Sequence, residues 1–243
     1  MQINFGGREV AIKLVYYGPA LSGKTTNLRS LHQVTTEGAR GRLMTLETKD
    51  DRTLFFDMLP LTLRADGDRG MSLRIKIFTV PGQVLHASTR RLVLQGADGV
   101  AFIADSQISE TEHNAASFLD LRQNLAELSL SLKEMPVVIQ FNKRDLDRVR
   151  SDEEINALAR RGREPVFKAS AVNGTGVLET FFGLLQLTWS KLEGEHQLAK
   201  MIGIAPDELL PMAARQLGLE VDVQALLGAC VGGNLPRHGK VAP

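Results

Sequence analysis

Cysteine occurs once in the 243 residues, at Cys230, so neither an intramolecular disulfide nor a cysteine-rich metal centre is available. No apolar run is long enough to span a bilayer. An apolar targeting core is missing near the start, where Gly6 and Gly7 stand. Gln2 occupies the second position and Cys230 lies away from the C-terminal end, so no lipid-anchor signal is expected. Net charge is also lacking: the formal value is +1, which gives no global basic field for nucleic acid or acidic membranes. The cluster Arg160, Arg161 and Arg163 reads as a solvated helix end. Internal repeats and low-complexity tracts are absent. These absences point to a cytoplasmic protein that binds neither nucleic acid nor lipid directly. What remains, 43% hydrophobic and 23% charged residues, suits one large globular domain or a standard domain with a small extension.

Apolar runs alternate with helical patterns, which predicts parallel strands joined by crossover helices. Strands are expected at about 10–17, 54–63, 72–80, 98–105, 136–141 and 165–169. In the third of these, Leu73, Ile75, Ile77 and Thr79 point one way and Arg74, Lys76 and Phe78 the other. Asp66-Gly67 makes a turn before it, so 54–63 and 72–80 are expected to form an antiparallel hairpin. Val100–Ala104 and Val137–Phe141 are more uniformly apolar, as strands covered on both faces should be. Helices are expected at about 24–33, 86–95, 111–129, 151–161 and 176–193, the fourth opened by a capping box of Ser151 and Glu154. Composition shifts after Gly194. Residues 1–194 read as the main domain, and 195–243 as a short extension of two or three helices with a loose end from about Gly232. Whether those helices dock on the main domain is open at this point.

Two short segments carry the chemistry. Gly18-Pro-Ala-Leu-Ser-Gly-Lys-Thr25 follows a strand-like run and precedes a helical one, as a phosphate-binding loop must. Backbone N–H groups around Gly18, Ser22, Gly23 and Thr26 can face the β- and γ-phosphates, and the helix N-terminus adds positive potential. Lys24 can reach phosphate oxygens and the Thr25 hydroxyl can ligate Mg²⁺. Asn142-Lys-Arg-Asp145 follows the strand at 136–141. An ionised Asp145 can accept both N1–H and N2–H₂ of guanine, a donor pair adenine lacks. Asn142 would bridge the two loops, and the Lys143 stem would cover the base. Further on, Ser170-Ala171 stands where a backbone N–H meets guanine O6.

Between them, Thr79-Val-Pro-Gly-Gln83 ends the strand at 72–80. The Gly82 N–H is placed to sense a γ-phosphate and Gln83 to orient the attacking water. Most P-loop GTPases carry an aspartate at the first position of this segment, where it holds Mg²⁺ through water. Thr79 can hydrogen-bond a coordinated water but brings no negative charge, which predicts weaker metal binding. In Leu46–Phe56, Thr53 can offer a hydroxyl to Mg²⁺, with Thr48 its rival. Arg52 can act as a built-in arginine finger, or simply pair with Asp50, Asp51 or Asp57 on the surface.

These segments resemble the MglA-like bacterial branch of Ras-like small GTPases, which govern cell polarity and surface motility. The resemblance covers about residues 3–193 and rests on Val15–Pro19, Gly23–Asn27, Asp51–Asp57, Thr79–Gln83, Ala104–Gln107 and Asn142–Asp145. Thr79 is that branch's own pattern. The resemblance implies an α/β P-loop GTPase fold: a six-stranded, mostly parallel sheet with helices on both faces, followed here by the helical extension. It also implies a GTP/GDP switch with Mg²⁺, a GTPase-activating homodimer of Roadblock fold as partner, further effectors, and recruitment to cell poles. In such relatives the arginine and glutamine move onto the phosphate; here these are Arg52 and Gln83. The expected activity is slow, partner-stimulated hydrolysis of GTP to GDP and phosphate. Its rivals are a nucleotide-binding scaffold with little hydrolysis and a P-loop kinase.

Overall fold

The computed structural model describes residues 1–46, 56–64, 70–81, 87–233 and 235. The chain runs β1 (Gln2–Asn4), β2 (Glu9–Tyr17), α1 (Lys24–Val34), β3 (Met44–Leu46), β4 (Phe56–Leu63), β5 (Ser72–Thr79), α2 (Ala87–Leu94), β6 (Gly99–Asp105) and α3 (Thr111–Glu127). It continues through β7 (Val137–Asn142), α4 (Asp152–Arg161), β8 (Val166–Lys168), α5 (Val177–His196), α6 (Leu198–Ile202), α7 (Leu209–Gln216) and α8 (Val223–Gly228). The eight-stranded sheet has the order β3-β4-β5-β2-β6-β7-β8, with β1 paired antiparallel to β2. Strands β5, β2, β6, β7 and β8 run parallel, and β3 and β4 add an antiparallel edge. The expected count of six is therefore corrected to eight among the described residues. The two extra strands, β1 and β3, have three residues each and are too short to show a period in sequence.

Period-two alternation sorts the strands between two cores. Val10, Ile12, Leu14 and Tyr16 of β2 face the layer built from α1 and α5–α8, together with Leu59, Leu61 and Leu63 of β4 and Leu73, Ile75 and Ile77 of β5. Val15 and Tyr17, with Val100, Phe102 and Ala104 of β6, face α2 and α3 on the other side. Every residue of β6 is buried, as a central parallel strand covered on both faces requires. The fourth helix forms where expected: Ser151 and Glu154 make a reciprocal capping box, acids crowd the first turn and arginines the last.

The extension docks. Leu198, Ile202, Leu209, Leu210 and Leu217 are fully buried in the same core as α5 and β4. Trp189 of α5 donates Nε1–H to the Pro206 carbonyl at 2.9 Å. Gln216 at the end of α7 exchanges two hydrogen bonds with the Arg64 backbone, just beyond β4. Val231 forms an antiparallel bridge with Val166. Apolar residues of α6, α7 and α8 are thus packed against the main body of the protein. Among the described residues no helix is long and apolar enough to cross a membrane.

Candidate nucleotide site

The C-terminal ends of β2, β5, β6 and β7 meet at one edge of the sheet, and the candidate residues gather there. Between β2 and α1 the chain turns through Gly18 at φ +145° and Gly23 at φ +96°, backbone regions that favour glycine. A Cβ on Gly18 would lie 2.2 Å from the Ile103 carbonyl oxygen, and one on Gly23 would lie 2.2 Å from Asn142 Nδ2. Both glycines are therefore needed for clearance as well as for φ. Gly23 caps α1 with no side-chain hydrogen bond, and no acid sits in the first turn. The helix N-terminus thus keeps its free N–H groups and positive potential for an anion.

The loop rests on a buried polar scaffold. Asn27 and the fully buried Gln140 exchange two side-chain hydrogen bonds of 2.9 Å, and Gln140 also donates to Thr180 Oγ1 at 2.7 Å. Lys24 is 7% exposed and donates to the carbonyls of Gly18 and Pro19 at 2.9 and 2.6 Å. Burial, then the nearby Arg90 charge, pushes its ammonium down to about 7, opposed by Asp57. An arriving phosphate would reverse that shift by restoring a counter-charge. Ser22 is fully buried, and among the described residues its hydroxyl has no hydrogen-bond partner.

Asn142, at the end of β7, joins the two loops. Its Nδ2 donates to the Ser22 carbonyl at 2.8 Å and its Oδ1 accepts from the Ala171 N–H at 2.9 Å. Of the Ser170-Ala171 pair expected to offer a backbone N–H to guanine O6, the Ala171 N–H is engaged in tying the loops together. Ser170 Oγ donates to Asp145, and Lys143, at φ +66°, pairs through Nζ with Asp105 at 2.6 Å. These bonds hold the base loop in place from both sides.

A cavity of about 540 Å³ opens over the phosphate loop, lined by Gly23, Lys24, Thr25, Thr26, Asp57 and Thr79 among others. That volume is in the range of small-ligand sites. Asn142, Lys143, Asp145 and Ser170 lie outside its lining, so the candidate base loop flanks this cavity. Arg52, Thr53 and its rival Thr48, Gly82 and Gln83 lie outside the described residues, as does the Asp66-Gly67 turn. Thr25, Thr45, Asp57 and Thr79 supply only hard oxygens, and among the described residues no group of three or more His, Cys, Asp or Glu could hold a metal unaided. That set fits Mg²⁺ shared with phosphates, since this ion is commonly held by one or two protein groups plus substrate oxygens.

Asp57, which the sequence offered with Asp50 and Asp51 as one possible surface partner for Arg52, is not at the surface: it is 8% exposed and bound to threonines of three other elements. The signal was its phase: Asp57, Leu59, Leu61 and Leu63 all fall on the buried face of β4. Sequence reasoning also missed the group beneath α2, where Arg90 pairs with Asp120 at 2.8 Å and Tyr17 and Asn124 join it.

No family model matches the sequence. The chain is 45% identical over 192 residues to the mutual gliding-motility protein MglA of Myxococcus xanthus, spanning 79% of this chain and 97% of that protein. It belongs to the MglA-like family of Ras-like small GTPases. Human Ras-related protein Rab-27A is a more distant relative, 27% identical over 200 residues, with 77% of this chain and 83% of Rab-27A covered. As an MglA-like protein the chain is a GTPase with the fold such proteins share.

Proposed function

We propose that this MglA-like GTPase is a Mg²⁺-dependent switch, signalling while it holds GTP and silenced by hydrolysis to GDP and phosphate. The observation that carries this reading is the Asn142 side chain, which couples the Ser22 carbonyl to the Ala171 N–H. A single residue thereby spaces a base loop from a phosphate loop, as a nucleotide with both parts requires. In this reading Asp145 reads guanine, Lys143 covers it, and Lys24 with the loop N–H groups of Gly18–Thr26 holds the phosphates. Thr25 and Thr53 hold Mg²⁺, which neutralises charge on the β- and γ-oxygens when bound. Gly82 senses the γ-phosphate, Gln83 orients water, and Arg52 stabilises charge as the phosphoryl group transfers.

Residues 1–194 carry this chemistry, and the described part of 195–243 packs into the core that α1, α5 and β4 share. Hydrolysis is slow alone and accelerated by a Roadblock-type homodimer. The name of the Myxococcus relative supports a task in motility, and action at cell poles is part of the same proposal. Binding of fluorescent GDP against ADP tests the base reading. Loss of a polar pairing of this kind costs roughly 10⁴-fold in discrimination, so comparable affinities would overturn it. Asp145→Asn is expected to shift preference toward xanthine nucleotides. Single-turnover phosphate release then separates a hydrolysing switch from an inert nucleotide scaffold: no release above the uncatalysed rate, with or without activator, selects the scaffold.

A further inference from the structure

We propose that Asp57, on the antiparallel strand β4, supplies the carboxylate of the Mg²⁺ site that position 79 lacks, acting as a positioning residue through a metal-bound water. This rests on the Mg²⁺-dependent reading of the site given above. Register makes the placement: β3 and β4 pair Thr45 directly with Asp57, and β4 and β5 pair Met58 with Phe78, which sets Asp57 beside Thr79. The contacts are reciprocal. Asp57 N–H donates to Thr79 Oγ1 at 2.8 Å, and that hydroxyl returns a bond to Asp57 Oδ2 at 3.2 Å. Thr25 Oγ1 donates to the same Oδ2 at 2.5 Å, and Thr45 Oγ1 donates to Oδ1 at 2.8 Å.

Three consequences follow from that arrangement. A carboxylate offers about four lone-pair sites and three are taken, which leaves one on Oδ1 for a further donor such as a coordinated water. The three donors are neutral hydroxyls, and among the described residues Asp57 has no ion-pair partner although it is 8% exposed. A buried anion hydrogen-bonded only by neutral groups favours cations nearby, the Lys24 ammonium among them. Finally, each threonine directs its proton toward Asp57, so the Thr25 lone pairs are free to face the cavity it lines. Thr79 then serves to hold the carboxylate, and the site keeps its negative charge on a neighbouring strand.

The test is the release rate of fluorescent GDP as a function of free Mg²⁺, with a chelator control. In the wild type Mg²⁺ slows release. For Asp57→Asn the Mg²⁺ concentration giving half the slowing rises about 10–100-fold, the usual cost of losing an outer-shell partner, while release in chelator stays close to wild type. The double variant Asp57→Thr with Thr79→Asp, which returns the acid to β5, brings the midpoint back toward wild type. An unchanged midpoint in Asp57→Asn overturns the proposal. So does faster release by the same factor with and without Mg²⁺, which would mark a purely structural role. If the single variant does not fold, the double variant decides by its own midpoint: near wild type supports the proposal, a 10-fold weaker one overturns it. Wild-type release that ignores Mg²⁺ would instead remove the metal reading beneath both.

Discussion

At residue scale the site depends on atoms with little room to move. Gly23 stands at φ +96° with Asn142 Nδ2 where a Cβ would sit, so Gly23→Ala must displace the side chain that couples the two loops. Asn142→Ala removes the same coupling without disturbing the backbone, leaving the Ser22 carbonyl and the Ala171 N–H unpaired. An unsatisfied buried group costs about 1–3 kcal/mol, so the Asn142 variant should weaken fluorescent GDP binding by at least about tenfold. Gly23→Ala, which adds backbone strain to the same loss, should weaken it further. Equal binding by wild type and Asn142→Ala would mean that the coupling contributes nothing to nucleotide affinity.

Elements differ in how far their sequence announced them. Helix α4 was legible because its capping box and charge gradient are local, and β5 because its alternation is clean over eight residues. The candidate phosphate and base loops stand out for the same reason: each is a contiguous motif whose backbone geometry its own glycines or polar residues set. Strands β1 and β3 were not, since three residues carry no period. Asp57 was hidden because an acid a few residues after Asp50, Asp51 and Arg52 reads as surface until its phase with Leu59 is counted. Docking of α6–α8 was not legible at all, since an apolar stripe specifies that it will be covered and not by what. The structure now separates two kinds of contact there. Leu210, fully buried, should cost about 2–5 kcal/mol on substitution by alanine. Gln216, on the exposed rim, should cost about 1 kcal/mol or less despite its two bonds to Arg64. Denaturant unfolding followed through Trp189, which sits against Pro206, measures both; equal losses would show that the rim carries the docking.

For the whole molecule, nucleotide and fold are linked by mass action. A ligand at about 100 times its Kd stabilises by about 2.7 kcal/mol, and a domain of this size gains roughly 2–4 °C in Tm per kcal/mol. Saturating GDP with Mg²⁺ should therefore raise the thermal midpoint by about 5–10 °C, and ADP at the same concentration should leave it unmoved. A shift of equal size with ADP would contradict guanine selection independently of any binding probe.

The docked extension has one more consequence, which concerns synthesis. Leu198, Ile202, Leu209, Leu210 and Leu217 leave the ribosome after every motif of the nucleotide site has been made, yet they complete the larger core. Burying each such side chain contributes about 1.5–3 kcal/mol, so together they supply on the order of 10 kcal/mol, comparable with the whole stability of a domain. A nascent chain that has reached Glu193 thus holds all its chemistry and an uncovered apolar face. Ribosome-arrested chains ending there should remain protease-sensitive, and chains extended past Val231 should become resistant. A stop codon just after Glu193 would then behave as a loss-of-function allele while sparing every residue proposed to touch nucleotide.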